Sequence, residues 1–347
     1  MKKNNKEVTI YDIARELEVS PATVSRALQD HHSIGKKTTK AVKKLAQKLG
    51  YHPNTVASSL RRNRTNTIGV IVPMIHRPFI ASLISGIEET VSKKGYNVII
   101  SQTYDVYEKE VINARTLYSS RVAGLIFSLS METSNYEHFH SFLHKNIPLV
   151  SIDRIAEEID TDRVIIDNYA AGFKATEHLI SMGCTRIAHF GGAQHRNIYD
   201  GRQRGYIDAL KSHNLPIDED LIVHNKLSME EGQKSTEHLL GLAEPPDGIF
   251  SANDSAAVGA IQYAKAKGIR IPQELSIVGF NDDPISSIIE PSLTTISHPA
   301  FDMGKIAAQQ VLKNREHTDI VQSQTIVLKT ELIQRASSLK NGAAVKK

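Results

Sequence analysis

Residues 9–28 read TIYDIARELEVSPATVSRAL, two short helical patterns separated by a turn. Thr9 and Asp12 predict the start of the first helix, because a hydroxyl followed three residues later by a carboxylate can satisfy free backbone groups of the first turn. Ser20 and Pro21 restart the chain, since serine caps helices and proline suits the first helical position. Two short helices joined by a tight turn are typical of a helix-turn-helix. The pattern predicts helices over 10–17 and 21–28.

Positive charge is concentrated around this stretch of the 347-residue chain. Residues 1–64 hold 14 Lys/Arg and 5 acidic residues, a net charge of +9, whereas the other 283 residues hold 28 basic and 33 acidic groups, a net charge of −5. Part of the positive charge lies in a third helical pattern over 37–49, which ends at Gly50. The asymmetry favours a nucleic-acid-binding module joined to a neutral-to-acidic body. A solvated basic face is the alternative.

The second helix of a helix-turn-helix lies in the major groove of DNA with its early residues at the base edges. Arg26 is the strongest candidate for direct readout, because its planar fork can donate two hydrogen bonds to guanine. Pro21 and Ala22 offer only apolar contacts, such as one to a thymine methyl group. A surface salt bridge is the alternative role for Arg26. Hydroxyl groups suited to phosphate contacts belong to Thr9, Tyr11, Thr23 and Ser25.

The next segment predicts a short helix that needs support. Pro53 and Asn54 form a stop followed by a cap, and 55–61 can make about two helical turns, too few for a stable isolated helix in water. We expect this helix to fold when DNA and a partner chain support it. Leu60 would then be an exposed apolar side chain near paired arginines, which suits a wedge in the minor groove. A plain linker is the alternative.

Beyond Thr67, short apolar runs alternate with amphipathic stretches such as 169–182 and 255–267. The runs have the length of buried parallel strands, and the alternation predicts doubly wound parallel sheets. Eight or more strands fit two lobes better than one sheet. The predicted strands cover 68–72, 97–100, 124–127, 149–152, 164–166, 186–190, 249–251 and 276–280.

Polar side chains follow several of these strands, where ligands of doubly wound folds bind. Carboxylates, amides and guanidinium groups beside an aromatic ring suit a polyhydroxylated ligand, so we expect a sugar or a similar polar metabolite. Structural roles are the alternative: Asp254 and Asp282 as helix caps, Phe79 in the core, and Arg202 in a surface ion pair. The predicted ligand-binding residues are Phe79, Asp153, Arg154, Arg202, Asn253 and Asn281.

Composition excludes several classes of protein. With 40% hydrophobic and 23% charged residues the chain is neither disordered nor collagen-like, and its longest apolar run, 122–129, is far shorter than the roughly 18 residues that span a bilayer. Residues 1–6 precede no apolar stretch, so we expect no export signal. The single cysteine, Cys184, allows no intramolecular disulfide and no cysteine cluster for a metal. We expect a cytoplasmic protein with no membrane partner, no cofactor and no metal.

Catalytic motifs are missing from the sequence. It has no Gly-x-Ser-x-Gly elbow, phosphate-binding loop or His-Glu-x-x-His, and the histidine pairs at 31/32 and 138/140 lack a plausible third ligand. We therefore expect no enzyme, and an enzyme that processes a sugar or nucleoside is the less favoured alternative. A sugar-transport receptor would need a signal peptide and would leave residues 1–64 unexplained.

Several motifs together resemble the lactose/galactose repressor (LacI/GalR) family. Residues 8–14 (VTIYDIA), 19–26 (VSPATVSR), 50–54 (GYHPN) and 56–60 (VASSL) resemble its headpiece and hinge helix. The resemblance implies a homodimer on a pseudo-palindromic operator, with half-sites about 10 base pairs apart and Leu60 of each chain at the central step. The Pro21-Ala22 pair departs from members with larger polar residues, so no operator sequence carries over. The positions that this resemblance adds to the DNA contacts are Ser20, Tyr51, Asn54, Val56 and Ala57.

The rest of the chain, nearly all of 66–335, resembles the periplasmic-binding-protein-like core of the same family. The matching segments include 147–154 (IPLVSIDR), 201–206 (GRQRGY), 252–254 (AND) and 278–282 (VGFND). By that resemblance, effector contacts fall on Phe79, Asp153, Arg202, Asn253 and Asn281. Asn281 stands where many relatives have Asp, which removes one charged acceptor. Cys184 stands where relatives often have His, and we interpret it as structural.

The sequence thus predicts an all-α helix-turn-helix headpiece joined to a two-lobed α/β core. The predicted parts are a DNA-binding domain (7–52), a hinge helix and linker (53–64), an effector-binding and dimerisation domain (65–335) and a C-terminal tail (336–347). The predicted function is a DNA-binding transcriptional repressor controlled by a small effector, with a sugar as the leading class. A purine effector and regulation by a corepressor protein remain alternatives, and the sequence leaves the sign of the response open.

Overall fold

The computed structural model describes residues 8–51, 65–316 and 322–340. These fall into two compact units, which we name the headpiece (8–51) and the body (65–316 and 322–340). The predicted hinge helix lies outside the described residues, and so do the predicted DNA contacts Asn54, Val56, Ala57 and Leu60.

The headpiece consists of three helices: α1 (Ile10–Glu16), α2 (Pro21–Leu28) and α3 (Lys36–Lys48). Their starts follow the predicted caps. The Thr9 N–H donates to Asp12 Oδ2 at 2.9 Å, and Ser20 Oγ accepts from the Thr23 N–H at 3.1 Å. Gly50 follows α3 with a φ of 64°, a conformation that glycine adopts without steric cost. The predicted helix-turn-helix is confirmed.

An apolar core fixes the angles between these helices. Ile13 of α1, Val24 of α2 and Val42 of α3 have no exposed surface. Val19 and Leu28 are partly buried at the edge of this core. The two helices of the motif are therefore held in place by a third, which the short α1 and α2 need because isolated helices of this length are unstable.

The N-terminal lobe of the body contains a six-stranded sheet in which all neighbours are parallel, with the order β11-β5-β4-β3-β1-β2. Its elements up to β5 are β1 (Thr67–Val72), α4 (Pro78–Ser92), β2 (Asn97–Gln102), α5 (Tyr107–Ser119), β3 (Gly124–Phe127), α6 (Glu137–His144), β4 (Leu149–Ile152) and β5 (Asp162–Ile166).

The C-terminal lobe contains a second six-stranded sheet with the order β12-β10-β9-β8-β6-β7, parallel except for the β10–β12 pair. The remaining elements in chain order are α7 (Asn168–Ser181), β6 (Ile187–Gly191), α8 (Asn197–Ser212), β7 (Ile222–His224), α9 (Met229–Leu240), β8 (Gly248–Ser251), α10 (Asp254–Ala266), β9 (Ser276–Asn281), α11 (Ile285–Ile288), β10 (Thr294–Ser297), α12 (Ala300–Glu316), β11 (Thr325–Leu328) and β12 (Leu332–Ile333).

The chain crosses between the lobes three times, after β5, after β10 and after β11. After the second crossing, α12 packs against α4 of the N-terminal lobe so closely that a Cβ on Gly86 would lie 2.1 Å from the Phe301 carbonyl oxygen. Only glycine permits that approach. The predicted two lobes of parallel strands are confirmed, and the crossings bring the carboxyl ends of both sheets to one cleft.

The sequence prediction missed four strands and misplaced one boundary. Three of the missed strands, β7, β11 and β12, lie at sheet edges, and the fourth, β10, is mostly polar in sequence. Ser337 and Ser338, which we assigned to the tail, are fully buried in the C-terminal lobe, and Ser337 Oγ donates to the Ile277 carbonyl oxygen at 2.6 Å. The folded lobe therefore extends past residue 335. Among the helices that the structure describes, none is long and apolar enough to cross a membrane.

Candidate functional site

The second helix of the headpiece presents Arg26 to solvent. Its side chain is exposed, as is that of Ala22, whereas Pro21, Thr23 and Ser25 are half-buried. Within the described part of the chain, no hydrogen bond or ion pair engages the Arg26 guanidinium. All five of its N–H donors remain available, which argues against the surface salt bridge that was the alternative.

The predicted phosphate contacts differ in how freely their side chains can act. Thr9 Oγ1 donates to Asp12 Oδ2 at 2.7 Å, and the Ser20 hydroxyl lies 2.9 Å from that of Thr23. Tyr11 is 64% exposed, so its hydroxyl is accessible. Tyr51 is half-buried against the headpiece core. Tyr11 is therefore accessible to a phosphate, whereas the hydroxyl groups of Thr9, Ser20 and Thr23 also take part in helix starts.

Helix α3 adds a strongly basic surface. Lys43 is paired with Asp30, with Nζ 2.5 Å from Oδ2. The other lysines of α3 are exposed and make no ion pair within residues 8–51: Lys36, Lys37, Lys40, Lys44 and Lys48. Unpaired lysines at this density attract a polyanion such as the DNA backbone.

In the body, the strand ends of the two lobes meet around a cavity that is partly open to solvent. Residues after β1 and β4 line it from the N-terminal lobe, and residues after β8, β9 and β10 line it from the C-terminal lobe. The structure brings all six predicted ligand-binding residues to this cavity: Phe79, Asp153, Arg154, Arg202, Asn253 and Asn281.

Arg202 of α8 occupies the centre of this site, with only 3% of its surface exposed. Its Nε donates to Asn168 Oδ1 at 2.9 Å and its Nη1 to the Ala252 carbonyl oxygen at 2.7 Å. Its guanidinium carbon lies 3.5 Å from the centroid of the Phe280 ring. Burial lowers the pKa of Arg202 to about 10, so the residue stays charged at neutral pH. The alternative surface ion pair is wrong, because the side chain is buried and points into the lobe interface.

Asp153 follows β4 and is buried beside two arginines. Its φ of 58° lies in the left-handed region, where a residue persists only if its surroundings hold it. Burial raises the pKa of Asp153, while the charges of Arg154 and Arg202 lower it. Arg154 is itself paired with Asp105. Opposite charges are therefore held inside the cavity, where they can act as directed hydrogen-bond partners for a ligand.

The two asparagines are positioned differently. Asn253 caps α10, because its Oδ1 accepts from the Ala256 N–H at 2.9 Å and its Nδ2 donates to the Leu227 carbonyl oxygen at 2.8 Å. Asn281 ends β9 with a φ of 117°, and its Oδ1 lies 3.4 Å from Nδ1 of His298. The amide of Asn281 therefore has more unused hydrogen-bonding capacity than that of Asn253.

Phe79 lies against His298, which sequence reasoning missed. The two rings stack with centroids 4.1 Å apart. His298 is 7% exposed, and within the described residues its Nε2 has no hydrogen-bond partner. Burial and the charge of Arg202 hold the pKa of His298 well below its usual value, so the ring is neutral. A neutral ring with an unused nitrogen in a cavity can serve a ligand hydroxyl group.

Asp283 and Arg77 line the cavity from opposite lobes. Burial and the nearby charge of Asp254 raise the pKa of Asp283 to about 7, while Arg77 lowers it. Asp283 was missed because it lies three residues after the end of the predicted strand, Phe280. His298 was missed because β10 was not recognised. The rule that strand ends bind ligands would have found His298 if the strand had been predicted.

Asp254 and Asp282 have structural roles, but neither caps a helix as the alternative interpretation held, because Asn253 caps α10 and Pro284 precedes α11. Asp254 is fully buried and accepts from Thr295 Oγ1 at 2.7 Å and from Ser286 Oγ at 2.9 Å. Asp282 pairs with Arg335, with Nη2 2.7 Å from Oδ1. In the ranges that the structure covers, no group of three or more His, Cys, Asp or Glu side chains is arranged to hold a metal.

A helix-turn-helix with an exposed arginine, together with a two-lobed body that encloses a polar cavity, defines a DNA-binding regulatory protein. Residues 9–54 match the family model for bacterial regulatory proteins of the lacI family, and residues 176–338 match a periplasmic-binding-protein-like domain. Catabolite control protein A of Priestia megaterium is 34% identical over 315 residues, which are 90% of this chain and 94% of that protein. The chain therefore belongs to the LacI family and is a DNA-binding transcriptional regulator.

Two solved structures add to this comparison. The transcriptional regulator CelR in complex with cellobiose is 25% identical and aligns with a TM-score of 0.73 over 95% of this chain and 100% of that one. The Lac repressor dimer bound to operator and the anti-inducer ONPF is 24% identical, with a TM-score of 0.86 over 96% of this chain and 100% of that one. The second likeness supports the fold.

Proposed function

We propose that this regulator is a repressor that binds a pseudo-palindromic operator as a homodimer, and that a sugar bound in the body cavity changes its operator affinity. One observation carries the proposal: six residues predicted from the sequence, which follow or end five different strands, all line one cavity. Chance would not bring a ring, two arginines, a carboxylate and two amides together from both lobes.

The chemistry of the cavity favours a sugar. Hydroxyl groups both donate and accept, so they can use the Arg202 guanidinium, the Asp153 carboxylate and the Asn281 amide at once. The face of the Phe79 ring that does not stack on His298 offers an apolar plate for sugar C–H groups. The related CelR structure holds cellobiose, which supports the same ligand class for this chain.

The lobes provide the means of regulation. Phe79 and Asp153 belong to the N-terminal lobe, whereas Arg202, Asn253 and Asn281 belong to the C-terminal lobe. A ligand that contacts both sets stabilises one relative orientation of the lobes. It changes operator affinity only to the extent that its own affinity differs between the two orientations.

The DNA half of the proposal rests on the headpiece. We propose that Arg26 reads a base and that residues 53–64 form a hinge helix and linker with Leu60 in the minor groove. The hydroxyl groups proposed to contact phosphates are those of Thr9, Tyr11, Thr23 and Ser25. We also propose that the protein is not an enzyme, which its regulator relatives support. Turnover of a sugar or nucleoside by the purified protein would contradict this.

A thermal-shift screen tests the ligand class. The purified chain is tested with cellobiose, D-ribose, D-glucose, glucose 6-phosphate and adenine, and the proposal expects a sugar to raise the melting temperature. The same sugar should have no effect on Phe79→Ala. The matched control is Phe301→Ala, because Phe301 is 38% exposed on α12 and outside the cavity. Stabilisation by adenine alone would replace the sugar with a purine, and no response to any of these compounds would favour a corepressor protein.

A further inference from the structure

Three residues at the start of α8 that do not themselves line the cavity hold the two lobes together. His195, Arg196 and Asn197 belong to the C-terminal lobe, yet each of them makes hydrogen bonds to the N-terminal lobe. Arg196 is only 4% exposed. Removing a guanidinium from water costs free energy. Because the acceptors of Arg196 all lie on the other lobe, its burial does not serve to stabilise its own lobe.

Arg196 binds main-chain oxygens of the loop after β3. Its Nε and Nη2 donate to the Met131 carbonyl oxygen at 3.3 and 3.0 Å, and Nη2 also donates to that of Thr133. His195 Nε2 donates to the same Met131 oxygen at 2.6 Å. Hydrogen bonds from a charged donor are the strong ones in proteins.

Hydrogen bonds fix this loop to the rest of the N-terminal lobe. Glu110 of α5 is fully buried and accepts from the Ser130 N–H at 2.6 Å and from Thr133 Oγ1 at 3.0 Å. The Met131 N–H donates to Asp105 Oδ1 at 3.1 Å. The carbonyl groups that accept from Arg196 are therefore fixed to the N-terminal lobe. A displacement of Arg196 would move the whole lobe and not only the loop.

A second contact between the lobes involves the main chain at Asp153. Asn197 Nδ2 donates to the Asp153 carbonyl oxygen at 3.1 Å, and Asn197 Oδ1 accepts from the Ile155 N–H at 3.4 Å. Arg202 lies in α8 six residues after Arg196, the residue just before the first helical turn, which is about 9 Å along the helix axis. The residues that grip the N-terminal lobe and the central arginine of the cavity thus share one rigid helix.

We infer that Arg196 is a positioning residue that fixes α8 against the N-terminal lobe and so sets the distance between Arg202 and Asp153 in the cavity. The inference rests on the proposed function, because only a ligand-controlled body makes that distance a regulatory quantity. In this arrangement, loss of the Arg196 hydrogen bonds weakens those of Asn197 as well, since both residues lie at the start of the same helix.

Hydrogen exchange measured by mass spectrometry on the full chain, without DNA or ligand, tests the inference. In Arg196→Met, amides of 129–133 and of 153–156 should exchange about tenfold faster, the change expected when a charged hydrogen bond is lost. Exchange in β6 and in the headpiece should not change. Arg196→Lys keeps the charge and an N–H donor group without the planar fork, so it should recover part of the protection.

The matched control is Arg204→Met on the same helix, where an exposed arginine pairs with Asp200 at 3.4 Å. It should leave both segments unchanged. Faster exchange confined to 129–133 would overturn the inference, because it would show a local contact only. Uniform acceleration over the body would also overturn it, because it would show a general loss of stability. If Arg196→Met does not fold, Asn197→Ala takes its place and should accelerate 129–133, which Asn197 does not touch. These outcomes do not depend on the sugar screen, so failure of the grip and failure of the ligand assignment are distinguishable.

Discussion

The substitution Asn281→Asp should raise the pKa of His298. Asn281 Oδ1 lies 3.4 Å from His298 Nδ1, and the new carboxylate would place a negative charge at that distance from the ring. In the parent chain, burial and the charge of Arg202 hold the pKa of His298 well below 6.5. The substitution changes the side-chain volume very little.

Coulomb's law sets the size of the effect. At the 3.4 Å separation, opposite unit charges attract by about 5 kcal/mol at an effective dielectric constant of about 20, which corresponds to about 3.5 pKa units. Burial of the new carboxylate offsets part of this gain. We therefore expect the pKa of His298 to rise by about 2 units.

The pH dependence of the free energy of unfolding should change as well. Below pH 6.5 the unfolded parent chain binds a proton at His298 that the folded chain does not, so the free energy of unfolding falls as pH falls. One such histidine accounts for a loss of about 2 kcal/mol between pH 6.5 and 5.0. A higher pKa in the folded state makes this loss smaller in Asn281→Asp.

Proton NMR of histidine-labelled protein measures the pKa directly, and His298→Gln assigns the resonance. Urea denaturation at pH 6.5 and 5.0 measures the stability. Asn66→Asp is the control, because Asn66 is exposed at the start of β1 and should change neither quantity. If the His298 resonance titrates at the same pH in parent and variant, our placement of Asn281 against His298 is refuted.

Three further predictions follow from the headpiece and the packing of the body. Arg26→Ala should reduce discrimination between specific and mismatched DNA by about 1–3 kcal/mol, measured by fluorescence anisotropy. Lys40→Gln should weaken binding to all sequences alike and reduce the slope of log K against log salt by about 1. Gly86→Ala should lower the free energy of unfolding by roughly 1–3 kcal/mol in urea, because its Cβ would lie 2.1 Å from a backbone oxygen. Gly35→Ala, with no atom within 4 Å of the new Cβ, should cost far less.

Much of the fold is visible in the sequence because buried strands need apolar runs. β3 and β4 fall on the predicted residues, and the caps at Thr9 and Ser20 place α1 and α2. β10 gives no such signal, because three of its four residues are threonine or serine although most of the strand is buried. The packing of α12 on the opposite lobe depends on contacts far apart in the chain, which no local pattern encodes.

The cavity was predictable where strand ends were recognised. Asp153 and Asn281 follow apolar runs and were found, whereas His298 follows a strand of threonines and serine and was not. The grip of Arg196 was also beyond sequence reasoning, because its acceptors are main-chain oxygens of another lobe. Every residue has a main-chain carbonyl group, so the pattern of side chains does not predict which ones accept a hydrogen bond.

The central claim is that one chain reads an operator with its headpiece and is controlled from the body cavity. The most direct test is a fluorescence anisotropy titration of an operator, selected from random duplex DNA by the purified protein, with and without the sugar that raises its melting temperature. The account predicts that the sugar changes the operator dissociation constant at least tenfold in the parent and leaves it unchanged in Phe79→Ala. Equal dissociation constants with and without the sugar in the parent would contradict it.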